Sequence, residues 1–418
     1  MAAPIPVFAP RRPIGLFPDR PFFQMLKDLS DLRIALVHYW LVAQRGGERV
    51  LTSLAEMFPQ ADIFTLVLDR SSLPASLRSR KITTSFLQRI PGATKHYQKF
   101  LPLFPLALEQ FRLSSYDLVI SLESGPAKGV LTAQDSCHVC YCFSPMRYLW
   151  DMYHAYRDQD GLGKLSRAFF SLSAHYVRLW DLASASRVDY FLADSEHVAD
   201  RIRKYYRREA PVIYPPVDIS TGYISDRIED YYLVVSQLVP YKRVDLAVAA
   251  CSKLGRRLRV IGDGGLAANL RRTAGPTVEF LGFQPDQALR DHYAHCRALL
   301  FPGEEDFGIV PVEAQSFGRP VIAYGRGGAL ETVAGFFVDE ETASPETSTG
   351  VFFARQSVDS LIEAMLRFEA VEGRFSPNLI RAHTERFDSS RFRREMESYL
   401  RDKWAEFNSL SKAPARRQ

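Results

Sequence analysis

Short runs of Val, Ile, Leu and Phe alternate with longer amphipathic stretches along most of this chain. LRIALVHYWL, ADIFTLVLD, RKITTSF, YDLVISLES and HVCYCFSP read as strands, and RGGERVLTSLAEMF, after the first, reads as a glycine loop feeding an amphipathic helix. LGKLSRAFFSLSAHYVRLWDLASASRVDYFLADSEHVADRIRKYY reads as a long helix, a strand ending in Asp194 and Ser195, and a helix capped by that serine. PVIYPPVD closes this series, and residues 219–230, polar with one glycine, form a candidate linker. A second series starts at YYLVVSQLVPYKRVDLAVAA and continues through RLRVIGDGGLAANLRR and TVEFLGFQPDQALRDHYAHC. Residues 298–301 then read as a strand stopped by Pro302 and Gly303, and residues 309–317 as a helix with Pro311 in its first turn. The alternation predicts an α/β protein, each half a parallel sheet with helices on both faces.

With 418 residues, 46% of them hydrophobic and 24% charged, the chain has material for two ordinary domains. The expected division is an N-terminal extension over 1–30, a first domain over 31–218, the linker at 219–230, a second domain over 231–375, and helical, basic sequence over 376–418. The net charge of +5 is compatible with anionic substrates or a lipid surface, and its dispersion among acids argues against nucleic acid. No apolar run approaches the roughly 20 residues of a spanning helix. The proline-punctuated start lacks the continuous apolar core of a signal peptide, which suggests a loose extension in a cytoplasmic protein. Of five cysteines, Cys137, Cys140 and Cys142 alternate in CHVCYCF, favouring buried thiols over a zinc site.

Chemistry concentrates between the strand at 298–301 and the helix after it. The first amides of a helix lack partners within it, so Phe307, Gly308 and Ile309 are candidates to present free N–H groups at the positive end of a dipole. Such a place attracts anionic, oxygen-rich ligands. Glu305 precedes the helix and Glu313 lies inside it, two carboxylates able to accept from hydroxyl groups. Gly46 and Gly47 allow backbone amides close to a ligand. Glu123, Ser124 and Gly125 at the carboxyl end of a strand, Lys128 just beyond, and Arg147 after a Ser-Pro turn are acceptor-side candidates; Arg147 either holds a phosphate or pairs with Asp151. KHYQKFLPLFPLALEQF reads two ways. It is a helix pair packed on its own domain, or a surface where Arg89, Lys95, His96 and Lys99 meet anionic lipid while Phe100, Leu101, Leu103 and Phe104 enter the headgroup layer.

EEDFGIVPVEAQSFGRPVIAYGRGGALETV resembles, nearly end to end, the donor-site signature of retaining family 4 glycosyltransferases with the GT-B fold. YPPVD, VIGDG and SQLVPYKRVD extend the resemblance over roughly residues 32–400. LPLFPLALEQF, ESGPAKGV and SPMRYLWDMY are similar to the WbaZ-like bacterial mannosyltransferases of O-antigen and exopolysaccharide assembly.

The resemblance implies two Rossmann-like domains facing across a cleft, with the C-terminal helix crossing back to the first. It implies transfer of a sugar, mannose from GDP-mannose by this likeness, to a lipid-linked or glycan acceptor, without metal or other cofactor. Lys242 would contact the diphosphate. Glu305 and the amides of Phe307 to Ile309 would hold the sugar, and Glu313 the ribose. Gly262, Asp263 and Gly264 would pass near the nucleotide, and Gly282 would flank the base. Retention without a carboxylate nucleophile implies front-face attack, with the leaving phosphate taking the acceptor proton. Two positions depart from the pattern. Gln237 stands where the family commonly has Arg; Arg243, which follows Lys242 directly, either restores that charge or is aimed outwards by its backbone. Phe143 stands where a His-Thr/Ser-Pro turn places its histidine, offering an apolar face instead of a hydrogen bond.

Two other readings compete. A metal-dependent transferase would need a D-x-D after a buried strand, and Asp158-Gln159-Asp160 reads instead as a solvated loop. A pseudo-transferase, binding a sugar nucleotide or serving as a scaffold subunit, is the reading that Phe143 and Gln237 would favour.

Overall fold

The computed structural model describes residues 28–43, 46–158, 163–340 and 342–411. Most of the N-terminal extension, residues 1–27, falls outside these, as do Gln159 and Asp160 of the D-x-D reading; Asp158 pairs with Arg157 at the surface.

Six parallel strands form the first sheet: β1 (Ile34–His38), β2 (Asp62–Thr65), β3 (Ile82–Thr84), β4 (Leu118–Glu123), β5 (Cys137–Cys142) and β6 (Tyr190–Ala193), in the order β3-β2-β1-β4-β5-β6. Every residue of β1, β4 and β5 is buried. Strands covered on both faces require such continuous runs, which is why they stand out in the sequence. Cys137, Cys140 and Cys142 are buried free thiols of β5.

The second sheet has seven parallel strands: β7 (Tyr232–Val235), β8 (Leu258–Ile261), β9 (Val278–Gly282), β10 (Leu299–Phe301), β11 (Val321–Tyr324), β12 (Gly335–Phe337) and β13 (Gly350–Phe353). Their order is β12-β13-β11-β10-β7-β8-β9. Both sheets thus reverse direction at one place, between β1 and β4 in the first and between β7 and β10 in the second. Loops leaving the carboxyl ends of adjacent strands diverge there and leave a crevice, the position where open α/β sheets bind ligands.

The helix Ser389–Ser411 crosses back to the first domain. Phe392, Met396, Leu400 and Trp404 recur every four residues and enter the core that contains Leu36, Leu51 and Leu54. Ion pairs from Arg393 to Glu56 and from Arg401 to Asp28 (2.9 Å) lie along the same contact.

Residues 93–109 fold as three short helical pieces, and half of the apolar set assigned there to a headgroup layer is interior. Leu101 and Phe104 are buried in the first domain's core, while Leu103 is exposed and Phe100 partly so. The alternation of Pro and apolar residues had made inward and outward positions look alike.

Candidate active site

A cavity of about 770 Å³ lies between the domains, walled by the loops that leave the two switch points. Lys242 ends the short turn Pro240–Lys242 after β7, and Glu305 stands in the loop after β10. Because β7 and β10 are neighbours, the two side chains meet: Lys242 Nζ lies 2.5 Å from Glu305 Oε1, both mostly buried. Sixty-three residues apart in sequence, they are brought together by the reversal in strand order.

Two helix N-termini converge on this pair. The helix Ile309–Ser316 begins after Gly308, and Phe307, Gly308 and Ile309 all line the cavity. From the opposite domain the helix Gly46–Met57 starts with Gly46 and Gly47, also in the wall. The approach is so close that a Cβ on Gly46 would fall 2.8 Å from Ile309 Cδ1, and one on Gly47 would fall 2.9 Å from the Tyr39 hydroxyl. The Gly46 end therefore lies directly against the Ile309 side chain of the facing helix. Two positive dipole ends and the Lys242 ammonium then border a space suited to a diphosphate.

Ion pairs tie the domains together around the cavity. Asp306, beside Glu305, receives Arg147 and Arg201 of the first domain, each at 2.5 Å, and Arg201 continues to Asp151 at 2.6 Å. Burial pushes the Asp306 carboxyl up, but the two guanidinium charges outweigh it and hold it below the ordinary value. Arg49 reaches across to Glu313 at 2.6 Å, and the Glu331 carboxylate accepts from the Glu196 and His197 amides at the start of the helix Glu196–Tyr206. Phe307 packs with Val217, Val312 and Phe387 in a small apolar cluster at the same junction.

The structure brings Lys242, Glu305, Phe307, Gly308, Ile309, Gly46, Gly47, Phe143 and Arg147 into one wall. Other candidates lie elsewhere, for physical reasons. Glu123 is sealed at the end of β4, where it accepts from Lys128, which also binds Asp181; burial raises its carboxyl to about 7 despite that ammonium. A strand's last residue can point into the core as readily as to the crevice. Ser124, one residue on, is the one in the wall. Arg243 is not in the wall: after a left-handed backbone (φ 50°) its side chain pairs with Asp245 at 3.1 Å. Glu313 also lies off the wall, held by Arg49 and by the Tyr293 hydroxyl at 2.9 Å. Gly262, Asp263, Gly264 and Gly282 line no part of the cavity. Gly262 (φ 124°) is required by backbone crossing, since a Cβ there would stand 2.0 Å from the Ser236 carbonyl oxygen. Arg147 resolves between its two readings in a third way, pairing with Asp306 instead of Asp151.

Asp306, Arg201, Arg49 and Tyr241, whose ring lies under the Arg147 guanidinium at 5.9 Å, had no visible signal of their own, because each is defined by a partner in the other domain. The wall's other half is also new: Trp40, Leu101, Phe104, Tyr148, Phe169 and Phe170 make an apolar arm extending into the first domain.

The family described as glycosyl transferases group 1 matches residues 225–383. Over 146 residues, 31% of this chain, the sequence is 31% identical to a GDP-mannose-dependent alpha-(1-6)-phosphatidylinositol monomannoside mannosyltransferase of Mycolicibacterium smegmatis. Over 200 residues, 34% of this chain, it is 24% identical to an alpha-1,3/1,6-mannosyltransferase of Saccharomyces cerevisiae. These matches span 37% and 39% of the two relatives' lengths. In structure, the chain is similar to sucrose-phosphate synthase from Thermosynechococcus elongatus (TM-score 0.65, 18% identity, 90% of this chain and 100% of that one). It is also similar to HepE of Anabaena solved with UDP-glucose (TM-score 0.61, 16% identity, 88% and 99%). Residues 225–383 thus match the group 1 glycosyl transferases, in a chain that has the two-domain GT-B fold.

Proposed function

We propose that this chain is a retaining glycosyltransferase that moves a sugar, by its likenesses mannose from GDP-mannose, to a lipid-linked or glycan acceptor in cell-surface polysaccharide assembly. The observation that carries the reading is the Lys242–Glu305 pair set between two facing helix N-termini. Breaking the bond between C1 of the sugar and the diphosphate oxygen leaves negative charge on the departing phosphate, and catalysis needs cations and amides already in place there. Lys242 and the amides at Gly46, Gly47 and Gly308 are that set. Glu305 accepts from sugar hydroxyls and positions C1. The acceptor hydroxyl attacks from the side the diphosphate leaves, and its proton passes to the leaving phosphate oxygen. No metal or other cofactor enters this scheme.

Support for the sugar nucleotide comes from the match to a GDP-mannose-dependent relative and from the fold shared with a protein solved with UDP-glucose. The two differ in base, so the test is a thermal-shift panel covering both. A donor that binds the folded state raises its melting temperature by mass action. Incubation with that donor and an acceptor mixture should release nucleotide and glycan product together. A donor that stabilises without any turnover would favour the second reading, a sugar-nucleotide-binding pseudo-transferase. The specific observation behind that reading is Arg243, which pairs with Asp245 instead of lining the cavity near Lys242.

A further inference from the structure

The 22-residue helix Lys164–Ala185 carries large apolar side chains in open solvent. Leu165 (88% exposed), Phe169 (63%), Leu172 (71%), Tyr176 (50%) and Leu179 (58%) follow at spacings of four, three, four and three, which places them on one face. The opposite face is already used: Ala174 and Val177 pack into the first domain's core, and Asp181 is buried against Lys128. The helix is apolar on two sides, and folding covers one. An uninterrupted stripe along a helix of about 33 Å marks an interaction surface.

Two observations say what covers it. Phe169 belongs both to the stripe and to the cavity wall, where Phe170 and Ser173 accompany it, so the exposed face and the apolar arm of the cavity meet at this residue. Among the described residues, the charge around the stripe is mostly basic. The only carboxylate on the helix, Asp181, is buried, while Lys164 and Arg167 stand at its start. The segment Tyr97–Leu103 packs alongside and exposes Lys99, next to exposed Lys95. Nearby acids are already held, Asp158 by Arg157 and Glu109 by Arg187. A helix that pairs with its own copy through such spacing sets opposite charges beside the seam. Here the flanking residues are Ser166, Ala168, His175 and Leu182.

We propose that this face of Lys164–Ala185 seats in the interfacial layer of an anionic bilayer, and that the apolar arm of the cavity takes the aliphatic part of an acceptor that remains in that bilayer. Insertion buries the stripe's side chains while the basic rim meets lipid phosphates. The second half rests on the transferase reading; the first does not.

The experiment is flotation of the full chain with vesicles of phosphatidylcholine alone or with added phosphatidylglycerol, beside sedimentation velocity without lipid. Wild type should float with phosphatidylglycerol vesicles, less so at high salt. The triple variant Leu165→Ser, Leu172→Ser, Leu179→Ser should lose at least about tenfold in partitioning, since three side chains no longer leave water. None of the three lines the cavity, so the sugar-nucleotide thermal shift should be unchanged. The single variant Leu172→Glu serves if the triple variant does not fold, and should weaken flotation in the same direction. Equal flotation of wild type and variants, or no flotation of wild type, overturns the proposal. So does a wild-type dimer that the variants dissociate, which would make the stripe a self-association face. Flotation that depends on the stripe in a protein no sugar nucleotide stabilises would keep the seating and reject the transferase reading together with the acceptor half.

Discussion

Replacing Glu305 by Gln should separate binding of the nucleotide from transfer of the sugar. Lys242 is already paired with Glu305, so a diphosphate must displace or share that carboxylate to reach the ammonium. At the observed 2.5 Å and an effective dielectric near 20, the Coulomb attraction of the pair is about 7 kcal/mol before desolvation is counted. Both groups recover hydration when they part, and a hydrogen bond between charged groups is worth only about 1.5–3 kcal/mol net. The amide introduced by Glu305→Gln keeps the shape and a neutral acceptor but removes the charge. A free nucleoside diphosphate should therefore bind the variant more tightly, by about 1.5 kcal/mol or roughly tenfold. Transfer should move the other way, because the charged acceptor that holds the sugar hydroxyls is lost, and kcat/KM should fall by about tenfold or more. Isothermal titration with GDP and UDP, beside initial rates with the productive donor, gives both numbers. Lys242→Ala is the control and should weaken the diphosphate in either background. Unchanged nucleotide affinity in Glu305→Gln, with Lys242→Ala also silent, would show that the diphosphate does not lie at this pair.

Glu313→Ala should raise the donor KM more than it lowers kcat, and it also frees Arg49, so the Arg49→Ala variant should show whether the domain bridge or the carboxylate is responsible. Transfer should survive EDTA, since the cations and amides at Lys242, Gly46 and Gly308 occupy the place of a metal; loss of activity restored by Mg²⁺ or Mn²⁺ would contradict the scheme. Burial lowers the imidazoles of His38 to about 3 and His138 to about 4, from 6.5. Below about pH 6 the unfolded chain therefore binds protons that the folded chain refuses, and stability falls as pH falls, by about 1.4 kcal/mol per unit for each ring. Glu123, raised to about 7, works in the opposite direction over the same interval, because its folded form is the one that binds the proton. Denaturant titrations from pH 6.5 to 5 should show His138→Gln with a pH slope smaller than wild type by roughly one proton; identical slopes would mean that the His138 ring protonates within the fold.

The parts of this molecule that could be read from the chain are those whose cause is local. Buried parallel strands need unbroken apolar runs, so β1, β4 and β5 were visible, as was the Ser195 cap, whose side chain accepts from the Val198 amide three residues on. Lys242 and Glu305 were recognised by the motifs around them, and their meeting follows from the order of strands, which no window of sequence contains. Where direction decides, the chain left the answer open: LVISLES offers Glu123 and Ser124 alike, and the fold turns the first to Lys128 and the second to the cavity, while YKRVD leaves Arg243 free to turn inwards or, as it does, to its own Asp245. The domain bridges were hidden for a different reason. Asp306 with Arg147 and Arg201, and Glu313 with Arg49, each join residues more than 100 positions apart. Each of these side chains alone resembles a solvated charge. Their arrangement has a consequence for the site: the carboxylates next to Glu305 and inside the following helix are satisfied by the opposite domain, so the loop after β10 is held in register with Gly46 and Gly47 before any ligand enters. Closure at this cavity is then a matter of ion pairs around its rim, and under the proposed function the Lys242–Glu305 pair is the one a diphosphate would rearrange.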